Sequence, residues 1–403
     1  MKAVIKKGRA FGFFNATTSK SYAHRYLIAT YLSGGGQISG ISECNDVSAT
    51  LNCLKILGLN RVIMENEIAD RFELSEKIDN KIFDCQESGS TLRFMIPVAL
   101  YSLGEATFIG SKKLFSRGLG IYQQIFEKQG IKYELDENSL YVEGRLLPDT
   151  FEIPGNISSQ FISGLLFVLP LLDRDSDINI IGEVESEPYI DMTIKVLKDH
   201  DIDIKKEGNR IHIPGRQKYQ KHKDHVEFDF SNLAYFEMLN YMGGNVTSLA
   251  FVDQKDTLQG DIVFREYFSK LSKDYQEIDL KNCIDLGPIL FAFASLFHGA
   301  KFININRLRI KESDRVLDTL SILEKFGVKY VLKDNELEIL KSELHAPKEE
   351  IETFNDHRLV MMTAILLSKY SGTLLGAEAV NKSYPEFFNN LIDLGIEVTL
   401  INE

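Results

Sequence analysis

The sequence predicts a mixed α/β protein of two domains, and three observations support this. An amphipathic helix, a Gly or polar break, a short β run, a polar turn and a second β run recur along the chain. The length of 403 residues exceeds what one hydrophobic core usually serves. A polar stretch from Gly215 to His225 divides the repeats three and three. We therefore expect six α+β units packed around common axes, in two halves facing each other across a cleft that holds charged ligands.

The repeat is located by its breaks, which lie at Gly58, Gly130, His200, Gly327 and Gly395. Their separations are 72, 70, 127 and 68 residues, so the long gap predicts a divergent sixth copy between Phe268 and Leu280. In the first copy the β run after the break covers Arg61 to Met64. Helix–Gly–strand steps arise by chance in any α/β protein, but near-constant spacing favours a true repeat. A period of about 70 residues is too long for a solenoid.

Composition excludes several classes of protein. A net charge of −12 argues against a general nucleic-acid surface. No run approaches the roughly 20 apolar residues that span a bilayer, and Met1 to Phe14 lacks a signal-peptide pattern, so we expect a cytoplasmic protein. The four cysteines are Cys44, Cys53, Cys85 and Cys283. They show no CxxC spacing, and no pair of histidines has the spacing of zinc ligands, so we expect the cysteines to be reduced and mostly buried.

Cations cluster at predicted helix starts although the chain is acidic. The segment from Thr17 to Arg25 precedes an apolar run. Ser19 or Thr18 can cap the predicted helix, and its first turns carry Lys20, Ser21 and Arg25. Free N–H groups, a hydroxyl and two cations can hold a phosphate or carboxylate. Without an anion the cations oppose the helix dipole. An ordinary cap with solvated basic residues is the alternative.

Two further helix starts in this half have the same form. Glu87 to Phe94 places Gly89 where an anion can approach the backbone closely. Pro154 to Phe161 brings adjacent hydroxyls and an amide, which suit a polyhydroxyl or phosphorylated ligand. Plain helix caps explain both segments equally well.

In the C-terminal half, a charged segment opens the predicted helix Val316 to Phe326. Glu312 lies there among Lys311, Arg315 and Arg309, which should keep it ionised unless a bound anion offsets them. Such an anion would let the carboxyl carry a proton during turnover. An exposed charge lattice is the alternative.

Three more polar groups lie beside turns in this half. Asn355 to Arg358 caps the apolar run Leu359 to Leu367, and Lys382 to Pro385 follows the last strand-like run. Asp285 precedes an apolar helix, where it is a capping acid by default and a candidate base by position.

In this order the motifs resemble the 5-enolpyruvylshikimate-3-phosphate synthase (3-phosphoshikimate 1-carboxyvinyltransferase) family over essentially the whole chain. The motifs that carry the resemblance are Ser19-Lys20-Ser21 with Arg25, Ser88 to Arg93, Ser158-Ser159-Gln160, Lys311 to Arg315, Asp356-His357-Arg358 and Lys382 to Pro385. The resemblance implies a two-domain inside-out α/β barrel, with three βαβαββ repeats in each domain and the active site in the interdomain cleft. It implies one domain of residues 1–17 and 228–403 and another of residues 18–227, with the second crossover at Asp229 to Ser231.

The family resemblance also implies the chemistry. The enolpyruvyl group of phosphoenolpyruvate would move to the 5-hydroxyl of shikimate 3-phosphate through a tetrahedral intermediate, on the way to chorismate and aromatic amino acids. Asp285 would take the hydroxyl proton, and Glu312 or Lys20 would protonate the methylene carbon. No metal or organic cofactor is required, and a monomer without nucleic-acid or membrane partners is expected.

The resemblance assigns two overlapping sets of ligand residues. Those implied to hold shikimate 3-phosphate are Lys20, Ser21, Arg25, Ser158, Ser159, Gln160, Ser186, Tyr189, Asp285 and Lys311. Those implied to surround phosphoenolpyruvate are Lys20, Gly89, Arg117, Gln160, Glu312, Arg315, His357, Arg358 and Lys382.

Some positions depart from the family pattern. Glu87 stands where Asn is usual, Arg307 stands where Asn often contacts the shikimate ligand, and Ala16 to Thr18 replaces the usual Pro-Gly approach. Ser186 to Tyr189 is close to the pattern. Gly89 is retained, as in the forms open to the herbicide glyphosate, although Glu87 adds an acid beside it.

The sequence argues against two alternatives to this family. The sister transferase acting on UDP-N-acetylglucosamine usually carries a reactive Cys near the Arg117 region, whereas Gly110 to Gly120 has none. A relative that only binds anions would have lost its catalytic acids, whereas Asp285, Glu312 and Lys20 are all present.

Overall fold

The structure is a computed structural model that describes residues 1–62, 69–252 and 257–402. The chain divides into two compact units, Met1–Thr17 with Phe228–Glu403, and Thr18–Glu227. Each unit has its own hydrophobic core. Both units mix helices with sheets, as predicted for an α/β protein.

The helices of the described residues bury their apolar runs. In chain order they are α1 (Lys20–Leu32), α2 (Asn45–Ile56), α3 (Gly89–Leu103), α4 (Lys112–Ser116), α5 (Gly120–Gln129), α6 (Ser159–Val168), α7 (Glu187–Asp199), α8 (Phe230–Tyr241), α9 (Phe264–Leu271), α10 (Gly287–Leu296), α11 (Leu317–Lys325), α12 (His357–Tyr370) and α13 (Phe387–Asp393). None of these described helices is long and apolar enough to cross a membrane.

The strands are short, and several alternate buried and exposed residues as half-buried strands do. They are β1 (Lys2–Ile5), β2 (Phe11–Phe13), β3 (Gly35–Ser39), β4 (Leu59–Val62), β5 (Ala69–Leu74), β6 (Ile82–Asp84), β7 (Glu105–Ile109), β8 (Lys132–Leu135), β9 (Ser139–Glu143), β10 (Thr150–Pro154), β11 (Ser176–Ile181), β12 (Lys205–Glu207), β13 (Arg210–Ile213), β14 (Lys223–His225), β15 (Asn245–Thr247), β16 (Gln276–Asp279), β17 (Ala300–Ile303), β18 (Lys329–Leu332), β19 (Glu336–Leu340), β20 (Gly372–Leu375) and β21 (Val398–Ile401).

In the described part of the unit Thr18–Glu227, three four-stranded sheets share one topology: β14-β3-β5-β4, β6-β7-β9-β8 and β10-β11-β13-β12. In each sheet the first pair is parallel and the other two pairs are antiparallel. In the second and third sheets helices join the first three strands in chain order, whereas in the first sheet α2 joins β3 to β4, and β14 comes from the end of the unit's sequence. The predicted strand Arg61 to Met64 is observed as far as Val62, and Ile63 and Met64 lie outside the described residues.

The other unit repeats the pattern less regularly. Its sheet β16-β17-β19-β18 has the same parallel and antiparallel pairs. Strands β20-β1-β21 are antiparallel, with a parallel bridge from Ile351 to Leu374, and β15-β2 is a parallel pair.

The prediction of a sixth helix–turn–hairpin copy between Phe268 and Leu280 is wrong. Helix α9 ends at Leu271, and the strand after it, β16, pairs in parallel with β17 instead of turning back in a hairpin. Ile278 is buried, so β16 serves as the first strand of the next sheet.

The predicted helix starts are confirmed at four motifs. Ser19, Ser88, Ser158 and Asp356 precede α1, α3, α6 and α12, and each side chain accepts a hydrogen bond from a backbone N–H of the first turn. Thr18 does not cap α1, because its Oγ1 donates to the Gly40 carbonyl. All four cysteines are free and buried.

Candidate active site

The residues implied by the motifs fall into two groups, one in each unit. The group in Thr18–Glu227 lies mainly at the first turns of α1, α3, α6 and α7, and Arg117 follows α4. The other group lies in the turns before α10 and α11, at the start of α12 and at Lys382. Helix starts present free N–H groups, so the first group has backbone donors beside its cations.

Arg25 is a buried cation held by neutral oxygens. Its Nε donates to Thr193 Oγ1 at 2.7 Å, Nη1 to the Ser21 carbonyl at 2.7 Å, and Nη2 to the Tyr189 carbonyl at 3.0 Å and to Ser163 Oγ at 3.4 Å. No carboxylate of the described residues pairs with this guanidinium, and burial lowers the pKa of Arg25 to about 10. A buried positive charge without an acid favours an anionic ligand.

Lys20 has a partner that sequence reasoning missed. Its Nζ donates to Asp46 Oδ2 at 2.7 Å, and the two side chains are 17% and 11% exposed. Asp46 lies in the first turn of α2, where an acid is explained by the helix dipole alone. The sequence therefore held no separate signal for this ion pair.

Gly89 lies under two guanidinium groups. A Cβ built on it would be 2.9 Å from Nη1 of both Arg93 and Arg117. Arg93 donates through Nη1 to Gln160 Oε1 at 3.1 Å and through Nη2 to the Gly118 carbonyl at 3.1 Å. Glycine thus leaves the first turn of α3 open to an anion that both guanidinium groups can reach.

The remaining polar residues of this group extend the same surface. Gln160 donates its Nε2 to Ser90 Oγ at 3.0 Å, so it joins α6 to α3. Ser158 caps α6 and Ser159 is buried in its first turn. Ser186 precedes α7 with a φ of 57°, a left-handed conformation uncommon for residues other than glycine.

In the other unit, Arg315 is surrounded by carboxylates. Its guanidinium is 1% exposed and donates to Asp285 Oδ1 at 2.9 Å, Glu312 Oε2 at 2.8 Å and Asp356 Oδ2 at 2.8 Å. Burial opposes the charge, but Asp356, Glu312 and Asp285 raise the pKa of Arg315 well above its ordinary value. The motif predicted the closeness of Glu312, whereas the contacts with Asp285 and Asp356 were not foreseen.

Asp285 is held in its ionised form by cations. Burial alone would raise the pKa of Asp285, but Lys311, Arg358 and Arg315 hold it well below its ordinary value. Lys311 Nζ donates to Asp285 Oδ1 at 3.1 Å, while burial lowers the pKa of Lys311. The default reading of Asp285 as a helix cap is wrong, because α10 begins at Gly287 and Leu286 is its capping residue.

Arg309 was expected beside Glu312, and the structure gives it another partner. Its Nη1 donates to Asp314 Oδ2 at 3.3 Å. Asp314 Oδ1 accepts the backbone N–H groups of Val316 and Leu317, the residue before α11 and its first residue.

Arg358 and Lys382 complete the second group. Arg358 donates to Asn232 Oδ1 at 3.0 Å and to Ser231 Oγ at 2.6 Å. Burial lowers the pKa of Arg358, but Tyr235, Asp285 and Asp229 together raise it. Lys382 Nζ donates to the Asn355 carbonyl at 3.0 Å, and His357 is buried as the first residue of α12.

Comparison with known proteins decides the family. A family model described as EPSP synthase (3-phosphoshikimate 1-carboxyvinyltransferase) matches residues 6–391. The chain belongs to this family. The 3-phosphoshikimate 1-carboxyvinyltransferase of Clostridium novyi is 38% identical, with 95% of each chain covered, and that of Clostridium acetobutylicum is 38% identical, with 94% of each covered. An EPSP synthase structure from Acinetobacter baumannii matches with a TM-score of 0.78 at 20% identity, covering 99% of this chain and 100% of that one.

Two of the departures from the EPSP synthase family pattern lie beside the groups just described. Glu87 is half-buried and directly precedes Ser88, the cap of α3. Arg307 is buried, and its charge contributes to the lowered pKa of Lys311. Both departures change the charge beside a residue of the implied ligand sets. Among the described residues, no group of His, Cys, Asp and Glu side chains could hold a metal ion.

Proposed function

We propose that this chain is a 3-phosphoshikimate 1-carboxyvinyltransferase. It transfers the enolpyruvyl group of phosphoenolpyruvate to the 5-hydroxyl of shikimate 3-phosphate and releases inorganic phosphate. The observation that carries the proposal is the family match over residues 6–391, which runs through both groups of cations. The relatives named for this reaction in two Clostridium species support it.

Shikimate 3-phosphate is bound by hydroxyls, amide groups and cations. Arg25 supplies a buried positive charge that no described carboxylate offsets, so it suits the phosphate. Ser21 and the first turn of α6 supply donors of the kind that a phosphate or a hydroxyl-bearing ring requires. The other residues proposed here are Lys20, Ser158, Ser159, Gln160, Ser186, Tyr189, Asp285 and Lys311.

Phosphoenolpyruvate is bound where backbone and guanidinium groups meet. Gly89 opens the first turn of α3 beneath Arg117, so a carboxylate or phosphate can approach both. Arg315 and Arg358 carry the positive charge of the other unit. The remaining residues proposed for this substrate are Lys20, Gln160, Glu312, His357 and Lys382.

The reaction consists of an addition and an elimination. In the addition, the 5-oxygen attacks C2 of phosphoenolpyruvate, Asp285 takes the hydroxyl proton, and Glu312 or Lys20 gives a proton to C3. In the elimination, C3 returns a proton to one of these two groups, the bond from C2 to the phosphate oxygen breaks, and phosphate leaves. The surrounding cations stabilise negative charge as it moves between carboxylate and phosphate.

The proposal includes further features of the EPSP synthase family. These are the inside-out barrel, a single active site to which both units contribute, a monomer in the cytoplasm, and the absence of nucleic-acid and membrane partners. Size-exclusion chromatography tests the monomer. Small-angle scattering with and without both substrates tests the shared site, since a radius of gyration that does not change on binding would contradict closure around them.

The direct test of the function is phosphate release. Purified protein with shikimate 3-phosphate and phosphoenolpyruvate is expected to release inorganic phosphate, while UDP-N-acetylglucosamine is not expected to replace the first substrate. Phosphate released only with UDP-N-acetylglucosamine would assign the chain to the sister transferase. No release with either acceptor would reject the proposal.

The role of Glu312 is tested by Glu312→Gln, which keeps the shape of the side chain and removes its acidic proton. We expect turnover to fall by roughly 10²–10⁴, the usual contribution of a general acid. Binding of shikimate 3-phosphate, measured by calorimetry, should change little. Glu343→Gln removes an exposed carboxylate and is the matched control. Equal losses of single-turnover rate and binding in Glu312→Gln would move the acid role to Lys20.

A further inference from the structure

His24 is a buried titratable group that the proposed reaction does not use. It lies one turn after Lys20 on α1 and is fully buried. Its Nδ1 is 2.7 Å from Thr50 Oγ1, while its Nε2 is buried without a hydrogen-bond partner. A phenylalanine would fill the same space against Phe94 without leaving a polar atom unsatisfied. The imidazole therefore needs a reason beyond packing.

A chain of hydroxyl groups leads away from His24 through two further helices. Thr50 Oγ1 on α2 lies 2.7 Å from Thr91 Oγ1 on α3. Thr91 Oγ1 in turn lies 2.7 Å from Ser88 Oγ and 3.3 Å from the Asp46 carbonyl. Ser88 Oγ also accepts the backbone N–H of Thr91 as the cap of α3.

Both acceptors of Thr91, at the end of the chain away from His24, adjoin residues of the proposed site. Ser88 directly precedes Gly89, whose backbone lies beneath the guanidinium groups of Arg93 and Arg117. Asp46 holds the Lys20 ammonium at 2.7 Å. The hydroxyl chain thus joins α1, α2 and α3 behind the group of residues proposed for phosphoenolpyruvate.

The direction of the hydrogen bonds follows from counting protons. Each hydroxyl has one proton, so if Thr91 donates to Ser88 or the Asp46 carbonyl, Thr50 donates to Thr91 and Nδ1–H of His24 donates to Thr50. The reverse direction would leave an Nε2–H donor buried without an acceptor. Buried N–H groups without partners are rarer than buried acceptors without partners, so the first direction is favoured.

We propose that His24, as its Nδ1–H tautomer, is a positioning residue for phosphoenolpyruvate: through Thr50 and Thr91 it fixes the first turn of α3 and the Asp46 that orients Lys20. This inference rests on the proposed function. His24 itself touches no reacting atom. Burial, with Lys20 and Arg25 nearby, lowers the pKa of His24 well below its ordinary value, which keeps the imidazole neutral beside these cations.

The test uses two matched pairs of variants in the full chain. His24→Phe keeps an aromatic ring at this position and removes the Nδ1–H donor. His24→Asn keeps an N–H donor near the position of Nδ1. Thr50→Val removes the hydroxyl at nearly constant volume, whereas Thr50→Ser keeps it. We expect His24→Phe and Thr50→Val to raise KM for phosphoenolpyruvate about tenfold, the effect of one lost buried hydrogen bond. We expect His24→Asn and Thr50→Ser to stay close to wild type.

A general loss of structure would change both substrates alike, so shikimate 3-phosphate provides the contrast. Lys20 is proposed for both substrates, so the dissociation constant of shikimate 3-phosphate, measured by calorimetry, should rise in His24→Phe and Thr50→Val, but clearly less than KM for phosphoenolpyruvate. The reason is that the hydrogen bonds of Arg25, proposed for the phosphate, are made to other residues. If His24→Phe and Thr50→Val leave KM for phosphoenolpyruvate unchanged, or raise both constants equally, the positioning role is rejected.

A spectroscopic measurement tests the hydrogen-bond chain without activity. In a ¹⁵N spectrum of histidine-labelled protein, the signals lost in His24→Phe should show a protonated Nδ1 and an unprotonated Nε2. A protonated Nε2 would overturn the proposed chain. Failure of the wild-type protein to release phosphate would instead reject the proposed function, and the positioning role with it, so the two failures are distinguishable.

Discussion

Arg315 offers the sharpest test of how the charged group before α11 is built. Arg315→Met keeps an unbranched apolar stem and removes the guanidinium donors that reach Asp285, Glu312 and Asp356. Asp356 is fully buried, so leaving its carboxylate without the Arg315 guanidinium should make the largest contribution to the loss of stability. Removing one partner of a buried ion pair costs about 3–5 kcal/mol. Asp285 keeps Lys311, so we expect a total loss of about 3–5 kcal/mol at pH 7.

The loss should depend on pH in a defined direction. Cations lower the folded-state pKa of Asp285, so its favourable contribution is present above its unfolded pKa of about 3.9 and is lost as the pH falls through the folded value. In Arg315→Met one of these cations is gone, so the pKa of Asp285 rises and less stability depends on its ionisation. The difference between wild type and variant should therefore be full at pH 7, stay nearly full down to about pH 4, and shrink only at lower pH.

Hydrogen exchange of amides in α10 and α12 measures this loss within the unit that contains Arg315. Lys270→Met is the control within the same unit, because Lys270 and Glu266 form an ion pair of 2.5 Å with side chains 52% and 60% exposed. Such a pair contributes less than about 1 kcal/mol. A loss in Arg315→Met no larger than in the control, or one that does not shrink between about pH 4 and about pH 2, would refute the buried-pair reasoning.

Three other substitutions test the group in Thr18–Glu227. Gly89→Ala should raise KM for phosphoenolpyruvate by about tenfold, because its Cβ would lie 2.9 Å from Nη1 of Arg117. Gly120→Ala is the control: its Cβ would meet open space, so steady-state kinetics should not change. Arg25→Met should weaken calorimetric binding of shikimate 3-phosphate by at least about tenfold, and unchanged affinity would exclude its phosphate role. The folded-state pKa of His24 is lowered, so below about pH 6.5 the unfolded state binds a proton that the folded state does not. Wild type should therefore lose about 1.4 kcal/mol more of its free energy of unfolding per pH unit than His24→Phe, as measured by urea titration. Parallel plots of unfolding free energy against pH for the two proteins would contradict this.

Local features of the site could be predicted from the sequence. Ser19, Ser88 and Ser158 each bind a backbone N–H within three residues, so the sequence holds both partners of the cap. Glu312 and Arg315 are likewise neighbours on one turn. Five copies of the repeat were visible because a Gly or polar break ends a helix before a strand, whereas α9 is followed by β16, which pairs in parallel with β17 and forms no hairpin.

Long-range partners could not be predicted in this way. Lys20 and Asp46 are 26 residues apart, and Arg315 and Asp356 are 41 apart. In each case both residues have a sufficient local explanation, as a first-turn acid, a cap or a solvated cation. Only the packing of helices brings them together, and that packing is set by many apolar side chains at once. Sequence periodicity specifies which face of a helix is buried but not which residue it meets.

The carboxylates among the cations bear on how the reaction would begin. In the structure, Asp285 accepts hydrogen bonds from Lys311 and Arg315, and its lowered pKa makes it a weak base. An anionic substrate that takes up the Lys311 ammonium would remove part of that stabilisation and raise the pKa of Asp285. Base strength would then increase only when the substrate is bound. The ion pairs would thus keep Lys311 satisfied before binding, and the loss of the Lys311 pair on binding would strengthen the base.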